Sequence, residues 1–276
     1  MMNILPWPDK FGLTRNPFKD TLDTTLFYRT RQHEEALVKL RLGIYDRHAL
    51  ILLSGDSGTG KTIVSQAALR SLGAADVLPV FVFVHPGMGK GPLLGAILKE
   101  LEVEKIARYT GDRLAQLQDA ALGFYSKGQR IVVVIDEAHF LKADALHILR
   151  TLSNLETEQE KLITVILVAE RSLTRRLSAP SYASLRSRIT FGINLDPLTP
   201  EEAEQYVKFR LLKCGATTDL IPGDAFKVLH KLSGGIPREI NRLLYNSFME
   251  AMSGDNSLVN TDILMKADRK IGVVNG

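Results

Sequence analysis

The fold of this chain is decided by one stretch, Gly55-Asp56-Ser57-Gly58-Thr59-Gly60-Lys61-Thr62. It fits the phosphate-binding pattern G-x-x-x-x-G-K-[ST] at every fixed position. The apolar run 49–53 precedes it and a helix-competent segment, 62–72, follows, which is the strand–loop–helix setting that the pattern needs. The glycines allow the backbone N–H groups to turn toward phosphates beside a helix N-terminus. We therefore expect all eight residues to bind ATP, with Lys61 on the β- and γ-phosphates and the Thr62 hydroxyl on Mg²⁺.

Length and composition are those of an ordinary soluble protein. The chain has 276 residues, of which 45% are apolar and 24% charged, enough for one or two domains. A single cysteine, Cys214, excludes an internal disulfide and suits a reducing compartment. The first ten residues lack the pattern of a signal peptide, and no apolar run approaches the roughly 18 residues of a membrane span. These features predict a cytoplasmic protein.

The apolar pattern predicts an α/β fold followed by helices. Five apolar runs have the composition of strands: 49–54, 80–84, 131–135, 163–168 and 189–193. Helical periods precede the first run, at 33–44, and lie between the runs, at 62–72, 93–103, 112–126 and 141–154. This alternation is typical of a doubly wound parallel sheet, and the glycine-rich stretch 85–92 is predicted to be a surface loop. After the last strand only helices are predicted, at 200–213, 223–232, 237–252 and 260–270.

Three segments follow from this pattern. Residues 1–29 carry many prolines and aromatic residues, so we expect an irregular segment that packs on the rest of the protein. Residues 30–197 form the predicted nucleotide-binding domain, and residues 198–276 form a small all-α domain.

The strand at 131–135 ends in two acidic residues, Asp136 and Glu137. A carboxylate at this end of a strand, beside a phosphate loop, can hold Mg²⁺ through water, which is the role expected of Asp136. Glu137 is placed to polarise a water molecule for attack on the γ-phosphate. The same residues with Ala138 and His139 also spell a helicase motif, but the second part of this chain is helical and too small for a second motor domain. The two motifs together predict nucleotide hydrolysis.

Several further motifs indicate a family. They are the opening stretch 11–18 (FGLTRNPF), the stretch 135–138 (IDEA), the stretch 152–157 (LSNLET) and the stretch 235–241 (GIPREIN). With the phosphate loop, they make almost the whole chain resemble the AAA+ ATPases of the ExeA/GspA type. The resemblance implies a P-loop AAA+ fold, with a parallel five-stranded sheet flanked by helices and then an all-α lid. It also implies homo-oligomers, as rings or filaments.

The resemblance assigns roles to two arginines. Arg238, in the Gly-Ile-Pro-Arg motif of the lid, resembles the sensor-2 arginine that contacts the γ-phosphate. Arg188, before the last strand, resembles the arginine finger that one subunit offers to the ATP of its neighbour, and Arg186 is its rival. Such a finger would make hydrolysis depend on oligomer formation, with an effect on the order of 10³–10⁵ in rate.

The sequence departs from the family pattern after the fourth strand. Relatives usually carry a neutral amide there to orient the attacking water, whereas this chain has Glu170. A carboxylate cannot donate a hydrogen bond, and its charge opposes the γ-phosphate. We therefore expect either slow turnover or a Glu170 charge that is offset by Arg171. No role follows for Asn154 or Glu156 beyond a helix C-terminus.

The sequence leaves the partner of this protein open. The net charge is +4, from 35 basic and 31 acidic residues, the isoelectric point is near 9.1, and segment 171–190 holds five arginines and no acidic residue. Such a segment is either a solvated helix face or a phosphate-facing one. The length and charge favour a regulator of transposition that binds double-stranded DNA and a transposase. The alternatives are an assembly ATPase for type II secretion or type IV pili, although a transmembrane helix and a peptidoglycan-binding domain are not seen, and a nucleotide-controlled switch with little turnover.

Overall fold

The structure, a computed structural model, describes residues 7–72, 76–216 and 219–272. Its residues group into two compact units. The α/β unit comprises Arg31–Asp56 and Gly60–Leu195. The helical unit comprises the described residues up to Thr30, the three residues Ser57–Thr59, and those from Asp196 onward.

The α/β unit is built on one parallel sheet of five strands. The strands are β1 Leu50–Gly55, β2 Val77–Phe83, β3 Arg130–Asp136, β4 Ile163–Ala169 and β5 Ile189–Leu195. Their spatial order is β2-β3-β4-β1-β5. Every residue of β1 and β4 is buried, as expected for central strands covered on both faces, whereas β2 and β5 at the borders expose several side chains. The predicted fold class is confirmed.

Helices cover the sheet. In the α/β unit they are α2 Arg31–Tyr45, α3 Lys61–Arg70, α4 Lys90–Glu100, α5 Thr110–Ser126, α6 Ala143–Leu152, α7 Arg171–Leu177 and α8 Ala183–Arg186. Three short 3-10 turns occur in the described chain, at Thr24–Leu26, Ala138–Phe140 and Pro180–Tyr182. Since each helix follows or precedes a parallel strand, the loops that leave the strands gather at one edge of the sheet.

Helices α7 and α8 were not predicted from the sequence, and two further differences have a local reason. Strand β2 begins at Val77, three residues earlier than expected, and includes Pro79, which a border strand tolerates because one side has no ladder to complete. Helix α4 begins at Lys90, inside the predicted surface loop. Pro92 falls in its first turn, where the missing N–H has no partner to lose.

The register of the sheet defines two edges that the site depends on. β1 pairs in parallel with β4, with Ser54 beside Ala169, and with β5, with Leu50 beside Ile189. We call the side where β1, β3 and β4 end the carboxyl edge, and the side where β5 begins the amino edge. The length of β1 from Leu50 to Gly55 separates them by about 16 Å, at ~3.3 Å per residue.

The helical unit contains α1 Trp7–Lys10, α9 Pro200–Lys213, α10 Gly223–Ser233, α11 Pro237–Ser253 and α12 Thr261–Gly272. Helix α9 starts with a capping box, in which the Thr199 hydroxyl accepts from the Glu202 N–H and the Glu202 carboxylate accepts from the Thr199 N–H. Proline follows the cap at the first helical position, where its missing N–H has no partner in the helix.

The N-terminal segment packs into the helical unit. Trp7 and Phe18 stack on Phe248 of α11, with ring centroids 5.1 and 5.7 Å away. The buried Arg210 donates from Nε to the Pro17 carbonyl at 2.5 Å and from Nη1 to the Tyr206 hydroxyl at 3.0 Å. The segment expected at 1–29 therefore groups with the C-terminal helices, although Pro6 and the residues before it lie outside the described part.

Burial raises the pKa of the Tyr206 phenol, which stays protonated and donates to Asn241 Oδ1 at 2.8 Å. This bond joins α9 to α11. Among the described residues, no helix combines the length and the apolar character that crossing a membrane would require.

Candidate functional site

The phosphate loop leaves β1 and enters α3 in the conformation that its glycines predict. Gly58 and Gly60 have φ angles of +80° and +95°, a region that favours glycine. Gly60 is the N-cap of α3, so the first N–H groups of that helix face the loop. The Lys61 ammonium donates to the carbonyls of Gly55 at 3.1 Å and Asp56 at 2.8 Å, which draws the lysine across its own loop.

The two predicted magnesium ligands lie together. Thr62 Oγ1, in the first turn of α3, donates to Asp136 Oδ2 at 2.8 Å. Asp136 ends β3 and is buried, and β3 and β1 are held in place by the intervening β4. Hydroxyl and carboxylate oxygens in contact with each other are the donor set that Mg²⁺ prefers, so these residues fit the ion.

Glu137, the predicted base, has an unusual backbone. Its φ and ψ are 57° and 34°, the left-handed region, which is rare for a residue other than glycine, asparagine or aspartate. Its N–H donates to Asp136 Oδ1 at 2.9 Å, so the neighbouring carboxylate stabilises the turn. Strained backbone of this kind is concentrated at functional sites, where the surrounding structure maintains it.

His139 links the predicted base to the residue that departs from the family pattern. Its Nδ1 accepts from the Glu170 N–H at 3.4 Å, so in the neutral ring the proton is on Nε2. That Nε2 lies 3.5 Å from Glu137 Oε2 and 3.9 Å from Glu170 Oε2, and 10% of the His139 side chain is exposed. Nothing in the sequence shows that the ends of β3 and β4 meet at this ring.

Glu137, His139 and Glu170 bring together three side chains that carry possible metal-ligand atoms. One such atom from each residue lies within 4.8 Å of the other two. The Thr62–Asp136 pair differs from it because it adjoins the phosphate loop directly.

Arg171 does not take the place that the sequence suggested. Its Nε lies 3.0 Å from Asp56 Oδ1, so Arg171 makes an ion pair with the phosphate loop. Glu170 is the N-cap of α7 and directs its side chain toward His139. The expectation that Arg171 offsets the charge of Glu170 is therefore not supported by this geometry.

In the helical unit, Arg238 contacts the middle of the phosphate loop, whose residues Ser57–Thr59 belong to the same unit. Its backbone N–H donates to the Gly58 carbonyl at 3.3 Å, and its Nη1 donates to Ser57 Oγ at 3.3 Å. A Cβ on Gly58 would lie 2.7 Å from Arg238 Cβ, closer than real Cβ atoms approach. Gly58 thus serves two purposes, its left-handed turn and the close approach of Arg238.

The turn before Arg238 is equally constrained. Gly235 has a φ of +71°, and a Cβ there would lie 2.2 Å from the Leu198 carbonyl oxygen. The Leu198 N–H also donates to the Gly235 carbonyl at 2.8 Å. The glycine of the Gly-Ile-Pro-Arg motif therefore fixes where α11, and Arg238 with it, begins.

Arg188 lies on the amino edge, away from the phosphate loop of its own chain. It directly precedes β5, whose first residue is level with Leu50 at the start of β1. Its Nη2 donates to Asn154 Oδ1 at 3.1 Å, and its Nη1 donates to the Ser184 carbonyl at 2.9 Å and to Ser184 Oγ at 3.2 Å. The distance along β1 is well beyond the length of an arginine side chain, so Arg188 does not reach the carboxyl edge of its own sheet.

The arginines of segment 171–190 mostly contact their own chain. Besides Arg171 and Arg188, Arg176 donates to the Leu141 carbonyl at 2.6 Å and Arg186 donates to the Leu177 carbonyl at 2.8 Å. This segment is therefore neither a uniform solvated face nor a row of arginines directed at one ligand.

Known proteins are similar to this chain in sequence. Residues 44–177 match the family model of an AAA domain. General secretion pathway protein A of Aeromonas hydrophila is 34% identical over 269 residues, which are 95% of this chain and 48% of that protein. The chain thus spans about half the length of this curated relative.

Solved structures of similar fold include two proteins of Aeropyrum pernix. The ORC2 protein of Aeropyrum pernix, in ADPNP–ADP complexes, has a TM-score of 0.67 at 18% identity, over 94% of this chain and 72% of that one. The ORC1 protein of Aeropyrum pernix in complex with DNA has a TM-score of 0.69 at 18% identity, over 91% of this chain and 68% of that one. At such identity the likeness extends to the fold alone.

Proposed function

We propose, on the premise that this chain has the AAA+ ATPase fold and is GspA-like, that it binds ATP with Mg²⁺ and hydrolyses the ATP at the carboxyl edge of its sheet. The observation that carries the proposal is the 2.8 Å hydrogen bond between Thr62 and Asp136. It joins the phosphate loop to the acidic end of β3, which are the two parts that phosphoryl transfer requires side by side.

Substrate binding is assigned to the loop from Gly55 to Thr62. Its N–H groups and the start of α3 surround the phosphates, and Lys61 exchanges its contacts with two loop carbonyls for the β- and γ-phosphates. Thr62 and Asp136 would hold Mg²⁺, which, when bound, neutralises negative charge on those phosphates.

Glu137 is the proposed general base. Its carboxylate takes a proton from a water molecule while the water oxygen forms a bond to the γ-phosphorus. The bond from that phosphorus to the β–γ bridging oxygen breaks, and its electron pair leaves with ADP. The left-handed turn at Glu137 and the Nε2 of His139 hold the carboxylate at the end of β3 for this step.

Glu170 makes the proposed site slow. Its charge lies beside His139 and Glu137, where the γ-phosphate of a bound nucleotide would add further negative charge. Because Arg171 is paired with Asp56, the repulsion is not offset in the way that the sequence suggested. This favours a second candidate function, a nucleotide-controlled switch that assembles with ATP and turns over rarely.

Two arginines complete the proposed site. Arg238, which already contacts Ser57 and Gly58, is proposed to contact the γ-phosphate. Arg188 is proposed as the finger that acts on the ATP of a neighbouring subunit, supported by its place on the amino edge. Arg186, whose Nη1 donates to the Leu177 carbonyl, is the alternative candidate. Hydrolysis then requires a homo-oligomer, a ring or a filament.

The test is ATP binding and hydrolysis by Glu137→Gln and Lys61→Ala. Glu137→Gln should retain ATP and stall turnover, whereas Lys61→Ala should lose ATP binding. A fully active Glu137→Gln protein would show that Glu137 is not the base. Assembly with ATP in a wild-type protein that releases no phosphate would establish the switch in place of the ATPase.

The partner is proposed to be a component of a secretion or pilus assembly, because the curated relative is named for general secretion. The alternative partner is double-stranded DNA with a transposase, which the five arginines of segment 171–190 favour. The test is binding to double-stranded DNA with and without ATP across a salt series. Affinity that falls steeply with salt would favour DNA. Each phosphate contact adds about 0.9 to the steepness of the plot of log affinity against log salt concentration. The proposal predicts no such binding at low salt.

A further inference from the structure

Asn154 occupies a rigid point on the amino edge. It follows α6, and its N–H donates to the Thr151 carbonyl at 3.0 Å. Its neighbours in the chain, Ser153 and Leu155, are buried, and the Leu155 N–H donates to the Leu152 carbonyl at 3.1 Å. The backbone at Asn154 is therefore fixed, while its side chain is exposed.

That side chain holds one end of the Arg188 guanidinium. Asn154 Oδ1 accepts from Nη2 at 3.1 Å, while the carbonyl and hydroxyl of Ser184 in α8 accept from Nη1. Two separate elements thus restrain the two terminal nitrogens. A guanidinium has five N–H groups, and these contacts use at most three, so donors remain for a phosphate.

A long side chain that acts on another molecule benefits from such restraint. Freely rotating arginine loses considerable conformational entropy when it is fixed, and positioning in advance removes part of that loss from the reaction. The carboxamide suits this purpose because it accepts a hydrogen bond without neutralising the charge of the arginine.

We infer that Asn154 is a positioning residue, which holds Arg188 in the orientation that reaches the ATP of a neighbouring subunit. The inference rests on the proposed trans action of Arg188. It gives a role to the Leu-Ser-Asn-Leu-Glu-Thr motif, whose asparagine had none from the sequence.

If Asn154 only ended a helix, Asn154→Ala would leave kcat unchanged. If it positions Arg188, the substitution lowers kcat. Asn154→Ala should lower kcat about tenfold to hundredfold, the rate equivalent of a hydrogen bond to a charged group, without changing ATP affinity or assembly. In the Arg188→Ala background the same substitution should have no further effect on kcat. Asn246→Ala is the matched control, because this surface asparagine bonds only to the Arg242 carbonyl in its own helix among the described residues.

A mixing experiment determines which subunit needs the asparagine. One subunit carries Lys61→Ala and only donates the finger, and the other carries Arg188→Ala and only receives it. Adding Asn154→Ala to the donor should lower the activity of the mixture about tenfold or more, whereas adding it to the receiver should leave the activity unchanged. Light scattering and thermal unfolding establish that each variant assembles and folds.

The outcomes separate the inference from the function on which it rests. An Asn154→Ala protein as active as wild type, with Arg188→Ala inactive, would overturn the positioning role alone. An equal loss from donor and receiver would assign Asn154 to the stability of the fold and overturn it as well. An Arg188→Ala protein that keeps full activity would contradict both the arginine finger and the positioning role of Asn154.

Discussion

The two edges of the sheet carry different halves of a site. The carboxyl edge holds Lys61, the Thr62–Asp136 pair and the Glu137–His139–Glu170 group, which can receive a nucleotide. The amino edge holds Arg188, whose guanidinium lies between Asn154 and Ser184. The strand length that separates the edges means that one chain has both halves but does not join them. In the proposed account, the amino edge of a second copy lies against the carboxyl edge of the first.

The largest expected effect comes from removing the donating half. Arg188→Ala should lower kcat on the order of 10³–10⁵-fold, because the charge that develops on the γ-phosphate loses its cation. ATP affinity should stay near that of wild type, since Arg188 is far from the phosphate loop of its own chain. Steady-state hydrolysis and equilibrium binding of a fluorescent ATP analogue measure the two quantities separately.

The matched control is Arg175→Ala, which removes a surface arginine from the same arginine-rich segment. It should keep wild-type activity. Equal losses in the two variants would mean that the charge of the whole segment matters, and would contradict a specific finger at Arg188.

A smaller loss of kcat is expected from a substitution on the carboxyl edge. His139→Ala should lower kcat about tenfold while the KM for ATP changes little, because the ring lies beside the carboxylates of Glu137 and Glu170 and is proposed to orient Glu137. The matched control is His85→Ala, an exposed histidine that bonds to the carbonyl of the neighbouring Pro86. A rise in KM without a fall in kcat would assign His139 to nucleotide binding in place of positioning.

The smallest expected effect is a gain. Glu170→Gln should raise kcat on the order of threefold to tenfold, because it removes a partly exposed, solvent-screened charge that opposes the γ-phosphate and supplies an amide donor. Glu158→Gln, which makes the same charge change on an exposed loop, should have no effect. Phosphate release under saturating ATP measures both, and a slower Glu170→Gln protein would show that the carboxylate helps the reaction.

Much of the fold could be predicted because its signals are local. The five apolar runs, the spacing of the phosphate loop and the proline after Thr199 each determine structure within a few residues. The buried central strands and the family resemblance then follow from the same short segments. The short helices α7 and α8 were not predicted, and errors at element ends occurred at β2 and α4, where a border strand and a glycine cap allowed extensions that composition alone did not show.

The contacts within the candidate site could be predicted less well, because they join loops that are distant in sequence. His139 meets Glu170, and Asn154 meets Arg188, only after the strand order places their elements side by side. Arg171 follows Glu170 directly, yet it pairs with Asp56, 115 positions away. The left-handed turn at Glu137 likewise depends on Asp136 accepting its N–H. The residue types alone do not predict that hydrogen bond.

The most direct test of two complementary edges is an equimolar mixture of Lys61→Ala and Arg188→Ala proteins, each inactive alone. The account predicts that co-assembly restores about a quarter of wild-type activity, because in a random head-to-tail assembly one interface in four joins an intact donor to an intact receiver. A mixture that stays inactive, although light scattering shows that the two proteins assemble together, would contradict the account.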